Sequence, residues 1–423
     1  MRRWDLVALG INTIIGAGIF GLPAEVFRRV GVYSLLAFVV CAIVVALMVL
    51  CFAEVSSRFS GTGGPYLYAR EAFGPVTGFE VGWLLWIARL TAFAANCNLF
   101  VSYLGFFWPG ADSGVPRIAA IKAIVVGLTA LNLTGVRNAT AASNFFTVAK
   151  LLPLLLFIGA GLFFLNPDAY APGPPPGLGD FSVSVLLLVF AFSGFELATI
   201  AGGEARNPRV DLPRALLIAI AVVAVCYLLI QFVAIGTLPA AELAASARPL
   251  ADAGSRFLGA RGGTIISVGA LVSIAGNLLV IVLVAPRLLF AMAERRELPG
   301  WLGLVHPRFR TPQPAILVTS TVLLVLTLSG TFVYAATISV IARLLAYGST
   351  CAALPVLRRK RGAPPAAFRA PAGSALAILV LILAAWLLSQ TTLRQARDAA
   401  IAAGIGLVIY WLARRARKEA PDG

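Results

Sequence analysis

Apolar residues run along this chain in stretches long enough to cross a bilayer, and the polar residues between them are few and clustered. A helix needs about twenty consecutive apolar residues to span the hydrocarbon core. Twelve such stretches are predicted, near 6–27, 32–56, 79–108, 117–134, 143–165, 181–203, 213–236, 263–292, 313–329, 332–357, 374–390 and 398–413. The pattern describes an all-α polytopic membrane protein with 12 transmembrane helices in one domain over residues 1–423. The first stretch is followed by eleven others and reads as a true span, not a cleaved signal.

Two stretches are interrupted. The first loses its apolar-helix pattern at Gly16-Ala17-Gly18-Ile19-Phe20, and the sixth at Phe190-Ala191-Phe192-Ser193-Gly194-Phe195-Glu196. Inside a bilayer, backbone leaves the helix only where protein or a water-filled cavity satisfies its freed groups. Paired breaks at matching places in two half-proteins point to a transporter's binding site. Spans 1–5 (residues 5–165) and 6–10 (residues 181–357) form two sets of five. Five is odd, so the second set starts from the opposite side, giving a 5+5 inverted repeat. Spans 11 and 12 (374–413) are two extra helices, with a role in packing or in contacts of a homodimer; monomer and homodimer both fit.

Composition narrows the class. The chain is 60% hydrophobic and only 12% charged, with a mean hydropathy of +0.91, too little charge to cover a water-soluble surface of this size. The net charge of +16 does not indicate nucleic acid, because the basic residues sit mostly in short loops. Of the Lys and Arg, 21 fall in loops on the side of the termini and 8 in the other loops. This bias places both termini in the cytoplasm of a multi-pass inner-membrane protein. The five cysteines lack metal or disulfide spacing, and the single His306 excludes a multi-histidine metal site. No cofactor is expected, and no nucleophile–base set suggests an enzyme. Ser60-Gly61-Thr62-Gly63-Gly64 lacks the ending of a phosphate loop, so ATP drive is not indicated.

The breaks carry the candidate substrate-binding residues: Ile15, Gly16, Ala17, Gly18 and Ile19 in the first, and Phe190, Phe192, Ser193, Gly194 and Phe195 in the second. Amide N–H groups opening a second half-helix favour an anion such as a carboxylate, and carbonyl ends favour a cation. Together they suit a zwitterion, that is, an α-amino acid. The phenylalanines supply aromatic bulk, either as a cap over substrate or as ordinary packing. Ionisable residues within spans are costly and are candidates for coupling or gating: Arg89, Lys150, Glu196 and Arg343, with Asn277 as a polar scaffold residue. Arg89 must pair with Glu196, pair with a substrate carboxylate, or face water. The loop after span 6 places Glu204 and Asp211 among Arg206, Arg209 and Arg214, a pattern that suits either a salt-bridged gate or a positive-inside anchor. Residues 57–80 suit an interfacial segment.

These motifs, in this order, resemble a bacterial amino acid permease of the amino acid–polyamine–organocation superfamily, which has the LeuT-type fold. The resemblance rests on Ile15-Gly16-Ala17-Gly18-Ile19-Phe20, Phe192-Ser193-Gly194-Phe195-Glu196, Gly203-Glu204 to Ala215, Pro286-Arg287, His306-Pro307 and Ala342-Arg343 to Tyr347, and it covers nearly the whole chain. It implies an amino acid substrate with its α-carboxylate on the Gly16–Gly18 amides and its α-ammonium near the carbonyls of both breaks. Lys150 matches a lysine that replaces a sodium ion in some relatives, which implies a coupling proton. Symport of a small neutral amino acid is the default expectation; the aromatic cluster would also suit larger apolar ones, and a basic substrate would want an extra acid, for which Glu196 is the only strong intramembrane candidate. Arg89 would favour an acidic substrate. Exchange, transport of an amine, polyamine or nucleobase, and a non-transporting sensor are the alternatives.

Overall fold

The computed structural model describes residues 2–59, 63–134, 139–200 and 205–419, and all regular elements there are helical. The first interrupted stretch forms α1 (Arg3–Ile14) and α2 (Gly18–Val30). Next come α3 (Ser34–Ser56), the short α4 (Gly64–Phe73), α5 (Pro75–Leu104), α6 (Gly114–Thr134) and α7 (Ala139–Gly161). The second interrupted stretch forms α8 (Leu178–Phe192) and α9 (Glu196–Ile200). The remainder is α10 (Pro208–Thr237), α11 (Ala240–Ala245), α12 (Pro249–Glu294), α13 (Gln313–Ser329), α14 (Phe332–Arg359), α15 (Gly373–Ser389) and α16 (Leu393–Glu419). Gly259, at φ 65° and ψ −165°, bends α12 into a short and a long arm.

Among the described residues, seven helical segments are long and apolar enough to cross a membrane, and four shorter apolar helices accompany them. Spans 1 and 6 are each split into two short helices, α2 and α3 count as one segment, and α13 and α15 are shorter apolar helices, so this number is lower than the twelve expected spans. The α5 helix is buried almost throughout, whereas α6 and α16 are mostly exposed. The exposed faces carry Val126, Leu131, Ile382, Ile401 and Val408. Such faces would be a liability in water and suit contact with lipid tails.

Packing is organised around two centres. The α5 helix lies against α14, α12 and α13, and α10 lies against α3 and α1. The α8 helix packs on α2 and α3, and α7 packs on α12. Close crossings are made by glycine: Gly269 of α12 sits where a Cβ would come 2.2 Å from Pro153 of α7.

Cross-links between distant segments define two faces. On the N-terminal face, Arg3 pairs with Asp211 at 3.0 Å, and Glu54 at the end of α3 accepts two bonds from Arg358, at 2.7 and 2.6 Å. Glu54 also takes Arg58 and the Ala370 amide, so its fully buried carboxylate is satisfied. On the opposite face, Tyr33 donates to the Gly173 carbonyl and Arg117 to the Gly330 carbonyl. The α16 helix starts near Tyr334 at the opposite face, through Asp398, and returns past Trp83 to Phe79 near the start of α5. The α4 helix lies along the N-terminal face. Its Tyr66 donates to Glu297 at 2.8 Å and its Arg70 donates to the same carboxylate at 2.5 Å. Burial, and then the Glu297 carboxylate, push the Tyr66 phenol above its ordinary range, so it remains a donor.

Candidate functional site

Both breaks are shorter than the sequence suggested. The first comprises Ile15–Ala17: Ile15 is extended (φ −68°, ψ 102°), and Gly18 already opens α2. The second comprises Ser193–Phe195, with Phe190 and Phe192 still in α8 and Glu196 starting α9. A helix start leaves its first amides without intrahelical acceptors. Phe20 is the first of α2 to find one, the Ala17 carbonyl at 3.0 Å, so the amides of Ala17, Gly18 and Ile19 precede the ladder.

Glycine lets the two breaks touch. Gly194 has φ +117°, and a Cβ there would lie 2.2 Å from the Thr13 carbonyl oxygen. A Cβ on Gly18 would lie 2.6 Å from the Ala191 Cα. The role of Gly18 is therefore to bring α2 against α8, and a larger side chain there would part the helices before it filled an anion nest. A Cβ on Gly16 would meet the Asn277 amide nitrogen at 2.6 Å.

A cavity of about 300 Å³ lies between the breaks. Gly16, Ala17, Gly18, Ser193 and Gly194 line it, together with Phe190, Lys150, Asn277 and Arg343. It runs toward the N-terminal face between α1 and α12, where Leu9 and Val284 line it about two turns from Gly16 and Asn277. On the other side, Phe190 meets Phe332 edge-on at 6.1 Å between ring centres.

Lys150 projects from α7 to the first break and donates to the carbonyls of Asn12 (2.9 Å) and Ile15 (3.1 Å). An ammonium there satisfies carbonyls that α1 leaves open at its end. Tyr227 of α10 spans both breaks, donating within reach of the Ile14 carbonyl (3.3 Å) and the Ala191 carbonyl (3.2 Å). Arg343 of α14 donates to Ser193 Oγ at 2.5 Å, and its Nε lies 3.5 Å from Glu196 Oε1. Glu196 also accepts from the Gly194 amide (2.9 Å) and the Tyr347 hydroxyl (2.5 Å), so it fixes the unwound turn from behind the cavity.

The remaining candidates stand elsewhere. Ile15, Ile19, Phe192 and Phe195 are buried but do not line the cavity. Phe192 packs on Phe38 and Tyr227, and Phe195 on Phe52 and Tyr347, so these rings are packing residues here. Arg89 does not hydrogen-bond to Glu196: it is 3% exposed, and none of its three nitrogens has a hydrogen-bond partner. In the loop after span 6, the described contacts involve Arg209 and Asp211. Arg209 donates to the carbonyls of Ser57 (2.9 Å) and Pro365, and Asp211 is taken by Arg3. Arg209 thus braces α10 to α3 and to the segment before α15 through backbone carbonyls. Glu204 lies outside the described residues.

Sequence reasoning missed Tyr227, Asn12 and Thr13. A lone tyrosine hydroxyl in the apolar run Ile220–Val233 was the available signal for the first. Asn12-Thr13 directly before the break was the signal for the others.

The family model described as amino acid permease matches residues 2–412. A branched-chain amino acid permease of Bacillus subtilis (strain 168) is 28% identical over 98% of this chain and 93% of its own. A serine/threonine exchanger of the same organism is 30% identical over 97% and 95%. A methylthioribose transporter, also from that organism, is 31% identical over 74% and 71%. With a split helix on either side of one cavity and a family match along almost its entire length, this chain belongs to the amino acid permeases, a family of membrane transporters and not of enzymes.

Proposed function

We propose that this protein carries an amino acid across the cytoplasmic membrane by alternating access, with a proton as the coupling ion. The observation that carries this reading is the meeting of both helix breaks at one cavity into which Lys150 reaches. The α-carboxylate would lie on the free amides at the start of α2, and the α-ammonium against carbonyls of the breaks. In the present conformation Lys150 and Tyr227 occupy several of those carbonyls. Substrate binding would therefore displace or share these donors, which gives the lysine a direct route to couple protonation to substrate.

The same reading takes the architecture as LeuT-type, with a 5+5 repeat and twelve spans, and the packing supports it. Pairing α1/α2 with α8/α9, α3 with α10, α5 with α12, α6 with α13 and α7 with α14 turns the observed packing largely into itself: α3 on α8 matches α10 on α1, and α5 on α14 matches α12 on α7. The positive-inside bias assigns the N-terminal face, with both termini, to the cytoplasm. The cavity then extends inward and the Phe190–Phe332 contact closes the outer side, a geometry that suits an inward-facing state. Exchange is the second reading, supported by the likeness to the serine/threonine exchanger.

Reconstitution into proteoliposomes tests both. Accumulation of a labelled amino acid under an inward proton gradient alone supports symport. Uptake only with unlabelled amino acid trapped inside supports exchange. Uptake of amines or of a thioribose without any amino acid uptake would contradict the amino acid reading, and no uptake at all would point to a sensor.

A further inference from the structure

The buried charges around the cavity do not balance. Lys150 and Arg343 line it, and no Asp or Glu is among its described lining residues. Arg89 stands on the same stripe of α5 as the lining residues Ala92 and Asn96, about one turn deeper. It lies within electrostatic reach of Glu196 and Arg343 and has no hydrogen-bond partner. Glu196 is the acid that faces both arginines, and its oxygens are already engaged by Gly194, Tyr347 and Arg343. Two buried arginines thus share one carboxylate. An uncompensated buried charge is strongly unfavourable unless a ligand supplies its partner.

We propose that the substrate carries a second anionic group, so that the cavity selects an acidic amino acid through Arg343 at the wall and the unpartnered Arg89 behind it. This rests on the amino acid reading above and replaces the neutral side chain expected from the sequence. A zwitterion adds no net charge and would leave one guanidinium group in excess. A dicarboxylic amino acid adds one negative charge where the excess lies. Arg343 presents the donors, being already oriented by Ser193 and Glu196. Arg89 holds the local potential positive without spending its charge on an internal ligand.

The test uses the full-length protein in proteoliposomes preloaded with a mixture of amino acids, with counterflow of labelled substrate measured against unlabelled competitors. Aspartate and glutamate should compete about tenfold or more better than asparagine and glutamine, near-isosteres without the charge. In Arg89→Gln, which gives up no hydrogen bond, the acid-over-amide ratio should fall toward one, and in Arg89→Lys, which keeps the charge, it should stay near the wild-type value. Equal or better competition by the amides in the wild type would overturn the proposal and leave amino acid transport standing. An unchanged ratio in Arg89→Gln would overturn the part assigned to Arg89. Counterflow with no amino acid in the mixture would instead overturn the underlying reading.

Discussion

Lys150 reaches the break from a neighbouring helix and holds two carbonyls that the end of α1 leaves without partners. Lys150→Ala should abolish the stimulation of uptake by a proton gradient while downhill exchange of the same substrate continues. Gradient-driven accumulation at the wild-type level would remove the lysine from coupling. Tyr227→Phe should weaken substrate affinity without changing the proton dependence, since its hydroxyl bridges the two breaks and carries no charge at neutral pH; a binding titration checks this. The two side chains differ in how far the sequence betrays them. A lysine within an apolar run costs so much that its presence alone marks it. A tyrosine in such a run is ordinary, and only its position across two unwound segments gives it meaning. The bonds of Arg209 were equally hidden, because a backbone carbonyl acceptor leaves no trace in residue identity.

The split helices are the elements on which the site depends, and glycine sets how closely they approach. Gly194→Ala would place a Cβ against the Thr13 carbonyl in a backbone region that L-residues avoid, at a cost of about 2 kcal/mol or more. The melting temperature of the purified protein should fall and transport should be lost with it. Wild-type stability and transport in this variant would mean that the breaks do not meet as described. Phe332→Ala removes the ring that faces Phe190, and it should raise access to the cavity from the outer side, measurable as faster labelling of a cysteine introduced at Ala92 by an impermeant thiol reagent. Both breaks were legible because glycine and serine interrupt otherwise continuous apolar runs. Their limits were not: whether Phe190–Phe192 stay helical depends on packing against α2 and α3, which local sequence does not encode.

Over the whole molecule, the N-terminal face is braced by pairs that join α3, α10 and the 364–370 segment, while the cavity opens beside them between α1 and α12. Glu54 is the hub, and Glu54→Ala would leave Arg58 buried without its acid, a loss of about 3–5 kcal/mol that a thermal melt would register. The number and order of apolar stretches made the helical membrane architecture readable from the chain, whereas these long-range pairs joined residues 152 to 316 positions apart and were not. Transport by this mechanism requires an amino acid head group held between the two breaks. The most direct test is equilibrium binding of the transported amino acid to purified protein, in competition with its decarboxylated and its deaminated analogues. Both analogues should lose most of the affinity, each lacking one of the two charges that the α2 amides and the break carbonyls would receive. Undiminished competition by either analogue would contradict this mechanism.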